Sequence, residues 1–226
     1  MPQKTISAVL FLAIASLCFL PALAQEKPTP LAHPLYPLEV GHKWTYRVGD
    51  QKVVVRVDRL EAIDMKKNGK VEKVEKVAAH RLVITNNDRE LNEYVAVLAD
   101  GIYRFAGDDK ETSPPLRFLK LKVEPDESWE CQMTVQGTPL KGKFTASEGE
   151  VTVPAGTFKA IIASSSDFQI GTQKLAVKYW FGYEVARGGK DQRTWEPAKV
   201  GIVKQETRYG TLSVTMELEK FEPAAK

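Results

Sequence analysis

The chain has 226 residues, 32 lysines and arginines against 29 aspartates and glutamates, and 43% hydrophobic residues. Such a length supports one sizeable core or two small ones. A net charge of +3 excludes the strongly one-signed composition that marks nucleic-acid binders and polybasic membrane binders.

In chain order, the first element is an export signal. Lys4 supplies a positive start, Ile6 to Leu20 form an apolar run, Pro21 breaks it, and Ala22-Leu23-Ala24 makes a small-x-small cleavage site before Gln25. This order of features predicts a cleaved signal peptide over 1–24. The run is short for a retained anchor, which needs about 20 apolar residues. Leu17 precedes Cys18, where lipid attachment requires a small residue, so soluble export to the periplasm or the cell exterior is expected. The segment holds one lysine and no acid, which leaves 31 basic and 29 acidic residues, with Cys131 as the remaining cysteine. A lone thiol makes no internal disulfide, so the stability must come from the core. No second apolar stretch approaches spanning length.

Residues 25–37 form a proline-rich leader, with Pro28, Pro30, Pro34 and Pro37 keeping the backbone extended. A single β domain is expected over 38–221, followed by a polar tail over 222–226. Period-two alternation dominates the domain. Val53, Val55 and Val57 share a face, as do Leu119, Leu121 and Val123, then Cys131, Met133 and Val135, then Leu175, Val177, Tyr179 and Phe181. The clearest case is Leu212 to Glu219, in which Leu212, Val214, Met216 and Leu218 alternate with Ser213, Thr215, Glu217 and Glu219, as a half-buried antiparallel strand requires. Asn68-Gly69, Asp100-Gly101, Pro154-Ala155-Gly156 and Tyr209-Gly210 supply turns between strands. About eleven strands are predicted at the spacing of an all-β sandwich or barrel. Residues 70–80 show helical spacing of Val71, Val74, Val77 and Ala78. Their β-branched character weakens helix propensity, and a long hairpin around Asn68-Gly69 is the favoured alternative. The fold class is therefore all-β and mainly antiparallel, a curved sheet or half-barrel with at most one short helix.

Pro37 to Tyr46 echoes Lys122 to Cys131: in each an apolar residue (Leu38, Val123) precedes a turn, and six residues later a tryptophan (Trp44, Trp129) opens a strand. Two such units are compatible with a duplicated sheet. Three segments together carry a family likeness: Tyr36-Pro37-Leu38 with Gly41, Trp44 and Tyr46; Val151 to Ala160; and Tyr179-Trp180-Phe181 followed by Trp195 to Lys204. This set resembles a family of uncharacterised exported bacterial β-proteins, a domain of unknown function, which is similar to the half-barrel carriers LolA and LolB. The resemblance implies a curved antiparallel sheet around an apolar cavity. The carriers close that cavity with helices, and the segment Gly182 to Arg193 separates Trp180 from Trp195 where the family pattern runs directly. Physically, Val153-Pro154-Ala155-Gly156 returns the chain into a strand through a tight turn, and Gly201 permits close backbone approach.

Chemical signatures are sparse. His33, His42 and His80 lie in the leader, a turn and a strand, without metal-ligand spacing. Ser164-Ser165-Ser166 before Asp167 has no nucleophile elbow and reads as a polar strand end. Cys131 reads as a buried thiol. Asp108-Asp109 with Glu111 has the oxygen chemistry of a calcium site but no repeat spacing, and Arg187-Gly188-Gly189-Lys190 lacks the context of a phosphate loop. No cofactor and no metal are expected. Trp44, Trp129, Tyr179, Trp180 and Trp195 are candidate ligand-binding residues if the sheet curves around a cavity, and core residues otherwise. The reading is a non-enzymatic exported protein whose partner is a hydrophobic small molecule, a lipid or another envelope protein. An exported hydrolase built on two carboxylates about 5 to 9 Å apart and a structural cell-surface role are the alternatives.

Overall fold

The computed structural model describes residues 30–65, 75–107, 110–135, 138–170, 173–188 and 194–225. Twelve strands follow one another as an antiparallel meander: β1 (Lys43–Val48), β2 (Gln51–Met65), β3 (Glu75–Asn86), β4 (Arg89–Leu98), β5 (Gly101–Gly107), β6 (Lys110–Lys120), β7 (Ser128–Val135), β8 (Thr138–Val153), β9 (Gly156–Ile170), β10 (Gln173–Arg187), β11 (Thr194–Tyr209) and β12 (Leu212–Glu222). The last strand pairs with the first and closes a barrel. The all-β expectation therefore holds, and no helix is found among the described residues. The stretch from Glu75 to His80 is strand, paired back onto β2 from Met65 to Leu60. The helical spacing of the valines loses to this pairing, which suits β-branched side chains. Residues 66–74, with Asn68-Gly69, lie outside the described residues, as do 1–24 and the first five residues of the leader, 25–29. The turns expected at Asp100, Pro154 and Gly210 join β4 to β5, β8 to β9 and β11 to β12. β10 runs on through Arg187, so that Ala186 pairs with Trp195, and much of the presumed insertion after Trp180 is strand.

On β1, β2 and β12 the outward positions are mostly polar and the inward ones apolar, while a second apolar cluster of Val77, Ala79, Ala96 and Phe105 lies apart from the main core on β3 to β5. Lys43, Arg47 and Lys52 pair on the outside with Glu222, Glu217 and Glu219, while Trp44, Tyr46, Val53 and Val55 on the same strands are buried. A bilayer-spanning barrel has the reverse pattern. The interior is packed with rings: Phe118, Phe144, Phe168 and Phe181 are fully buried, each worth about 2–3 kcal/mol of transfer free energy. Phe118 meets Tyr179 at 5.7 Å, and Phe144 meets Phe168 edge-on at 5.3 Å. The leader belongs to this core. Tyr36 is 5% exposed and packs on Trp44, Phe118 and Phe181. It also sits against Gly201, where a Cβ would lie 2.7 Å from its ring and φ is +77°. Only glycine suits both the contact and the backbone there. Tyr36 of the leader is thus a member of the core.

The echo between Trp44 and Trp129 is repeated in the backbone. Gly41 and Asp126, each three residues before its tryptophan, both have positive φ, 96° and 64°. His42 N–H donates to the Glu39 carbonyl at 3.0 Å, and Glu127 N–H to the Glu124 carbonyl at 3.2 Å. Gly41 and His42 then bridge to Val57 on β2 just as Asp126 and Glu127 bridge to Ala146 on β8. The barrel is two six-strand meanders that start alike.

Candidate functional site

The hairpins β1–β2, β3–β4, β5–β6, β7–β8, β9–β10 and β11–β12 all turn at one end of the barrel, because successive antiparallel strands reverse alternately at its two ends. The opposite end receives the leader. There His33 is buried; its Nδ1 accepts the Leu35 N–H at 3.1 Å, so Nε2–H donates to the Lys120 carbonyl at 3.1 Å. This end is filled, apart from a cavity of about 450 Å³ between the leader and the rim, bordered by Leu31, Tyr36, Leu38, His80 and Lys199. His80 is 4% exposed. Burial pulls its pKa down to about 4 against the opposing effect of its hydrogen bond to the Val95 carbonyl. Nδ1 has no partner among the described residues, so that bond is made through Nε2.

The hairpin end carries exposed apolar side chains on its inward face, beside the polar Asn86 and Thr207. Along β12 the inward face runs from Leu218, 1% exposed, through half-buried Met216 to Val214 at 51% and Leu212 at 69%. Pairing puts Val214 opposite Thr207, Leu212 opposite Tyr209, and Tyr209 opposite Leu175. Tyr209 and Leu91 are exposed as well. Val48, Ile84, Met133 and Leu175 line the same face, half-buried against the aromatic core. The result is a mouth where exposed apolar side chains continue the core outward.

All five aromatic candidates have other surroundings. Trp44 is fully buried, and its indole N–H donates to the Val200 carbonyl at 2.6 Å; Tyr46, two residues on, donates its hydroxyl to the Ile202 carbonyl at 2.8 Å. β11 pairs with β12 only from Lys204 onward, so these side chains satisfy carbonyls that the ladder leaves free. Trp129 and Cys131 do the same at the sparse β6–β7 seam, where the ladder pairs Thr112 with Val135. Both donate to the Arg117 carbonyl at 3.1 Å. Burial pushes the Cys131 thiol up to about 12, which keeps it protonated. Tyr179 is buried among Phe118, Phe144 and Phe181. Trp180 points outward between the ammonium groups of Lys178 and Lys204, 4.6 and 5.2 Å from its ring. Trp195 is half-buried under Lys159. The structure does not gather the five into one site. Leu91, Tyr209, Leu212 and Val214 are the residues that sequence reasoning did not single out; the regular alternation from Leu212 onward was the available signal.

The other chemical candidates stay apart. Ser165 is buried and donates to Asp167, which also accepts the Lys143 N–H, so this pair anchors a register shift between β8 and β9. Inside the barrel Glu93 takes Arg104 at 2.5 Å, with the guanidinium 5.6 Å from the Phe118 ring. Among the described residues no three His, Cys, Asp or Glu side chains gather as metal ligands do. Asp108 and Asp109 lie outside the described residues.

No protein-family model matches this chain, and no curated protein does. Among solved structures it is similar to the crystal structure of a protein described as "a putative lipoprotein from Parabacteroides distasonis ATCC 8503". Identity is 11%, the TM-score is 0.39, and the match covers 83% of this chain and 98% of the other. A likeness at that level carries no weight for function. No helix among the described residues is long and apolar enough to cross a membrane.

Proposed function

We propose that this chain is an exported, non-enzymatic protein of the cell envelope that receives an apolar guest, a lipid or an apolar segment of another envelope component, at the open end of its barrel. One observation carries the reading: the inward face of β12 passes from sealed to exposed without becoming polar, Leu218 to Leu212. A solvated strand tip would ordinarily turn polar on both faces, since exposed apolar area costs about 25 cal/mol per Å². The signal-like start and the resemblance to half-barrel carriers support the same reading. The guest would lie on the mouth rather than deep in the barrel, because rings occupy the interior.

The neutral dye N-phenyl-1-naphthylamine tests the site. Saturable fluorescence enhancement is expected with the purified protein, and at least about tenfold weaker binding with Leu212→Asp/Val214→Asp, from the roughly 1.5–3 kcal/mol of each apolar contact. No enhancement, or enhancement indifferent to the double substitution, would overturn the assignment.

A further inference from the structure

We infer that the outer face of β8 to β11, next to the open mouth, docks the protein on an anionic phospholipid surface. The overall charge balance hides a segregation. Lys141, Lys143, Lys174, Lys178 and Arg208 all point outward from this arc, since Leu140, Phe144, Leu175, Val177 and Tyr209 beside them point inward. Four of the five are exposed. On other strands Lys43, Arg47, Lys52, Arg56 and Arg104 each hold a carboxylate, as does Lys159 on β9. The five on this arc hold none among the described residues. Of the nearby acids, Asp167 is engaged by the Lys143 N–H and the Ser165 hydroxyl, Glu206 by Lys204, and Glu130 stands opposite Lys143 on β7 without an ion pair among the described residues.

Register turns these cations into a surface. Lys141 and Lys174 flank Gln169 in the row nearest the hairpin tips. Behind them a groove of about 350 Å³ is lined by the engaged carboxylates Asp167 and Glu206, and by Lys143, Lys178 and Arg208 together with Ser164 and Ser213. This is the donor set that a phosphate diester and its polar headgroup require, cations for charge and hydroxyls for neutral oxygens. At the same rim stand Leu212 and Val214, the two most exposed large apolar side chains of the described residues. The opposite arc presents Asp50, Asp88 and Glu90 with Arg89, so charge orients the molecule with the β8–β11 side toward the lipid. Apolar tips inserted between headgroups beside a row of cations make an interfacial contact of the two-signal kind that holds a protein on an anionic membrane.

Flotation with vesicles of pure phosphatidylcholine and of phosphatidylcholine containing phosphatidylglycerol tests this with the full chain. Binding is expected to the second and not the first, and to fall several-fold when ionic strength rises from 0.05 to 0.5 M, about the range over which screening becomes complete. Lys174→Glu/Arg208→Glu is expected to weaken vesicle binding at least about tenfold, with naphthylamine uptake and the thermal unfolding midpoint unchanged. Equal binding to both vesicle types, or no loss in the charge-reversed variant, would overturn the docking surface. Dye uptake without vesicle binding would overturn it too, while leaving the proposed mouth intact. Vesicle binding without dye uptake would keep the surface and remove the mouth.

Discussion

His80 shows how a single side chain sets a pH limit on this fold. In the unfolded chain its imidazole titrates near 6.5, while in the barrel burial pulls it down to about 4. The folded state therefore holds fewer protons than the unfolded state between those values, and stability falls as pH drops through that window. The loss is of order 2–3 kcal/mol, and buried His33, also lowered by burial, adds in the same direction. Urea unfolding at pH 7 and pH 4.5 is expected to show this loss in the wild type and a distinctly smaller one in His80→Gln. An equal acid sensitivity in the variant would mean that the imidazole stays solvated. Trp44 and Trp129 make a second comparison at this scale. Trp44→Phe keeps a ring in place but leaves the Val200 carbonyl without its indole donor, at about 1–3 kcal/mol. Trp129→Phe should cost less, because Cys131 still donates to Arg117. Denaturant midpoints giving the opposite order would refute the view of these tryptophans as seam donors.

At the scale of elements, the amphipathic strands were legible because period two leaves a direct trace: Val53 to Val57, Cys131 with Met133, and Leu212 to Leu218 all place their apolar members inward. In 70–80 the helical spacing competed with β-branched composition, and from Glu75 onward pairing with β2 makes the chain strand, in line with the favoured hairpin. The leader was legible only as extended chain. Its prolines forbid a sheet interior, yet Tyr36 enters the core without joining a strand ladder, held by packing rather than backbone pairing. The candidate site was partly legible. The β12 pattern was plain, but alternation says only that a face is apolar; whether that face ends in a core or in water depends on how far the hairpin projects past its neighbours.

For the whole molecule, the export reading makes its own prediction. Protein recovered from outside the cytoplasm is expected to begin at Gln25 by intact mass, and a retained Met1 start, or lipid on Cys18, would contradict it. The sequence by itself determined the strand faces, the turns and the polar exterior, since each of these is fixed by neighbours one to four residues apart. The repeat of Gly41 and Asp126 before their tryptophans also belongs to that local class. Only the tertiary structure decided that β12 meets β1 to close the barrel. It alone showed that aromatic residues seal the seams and that five cations without ion pairs among the described residues lie side by side on β8, β10 and β11. Those outcomes depend on which strands become neighbours across long loops of chain, and on side chains over a hundred residues apart competing for the same carbonyls and the same interior volume. No local pattern encodes that competition.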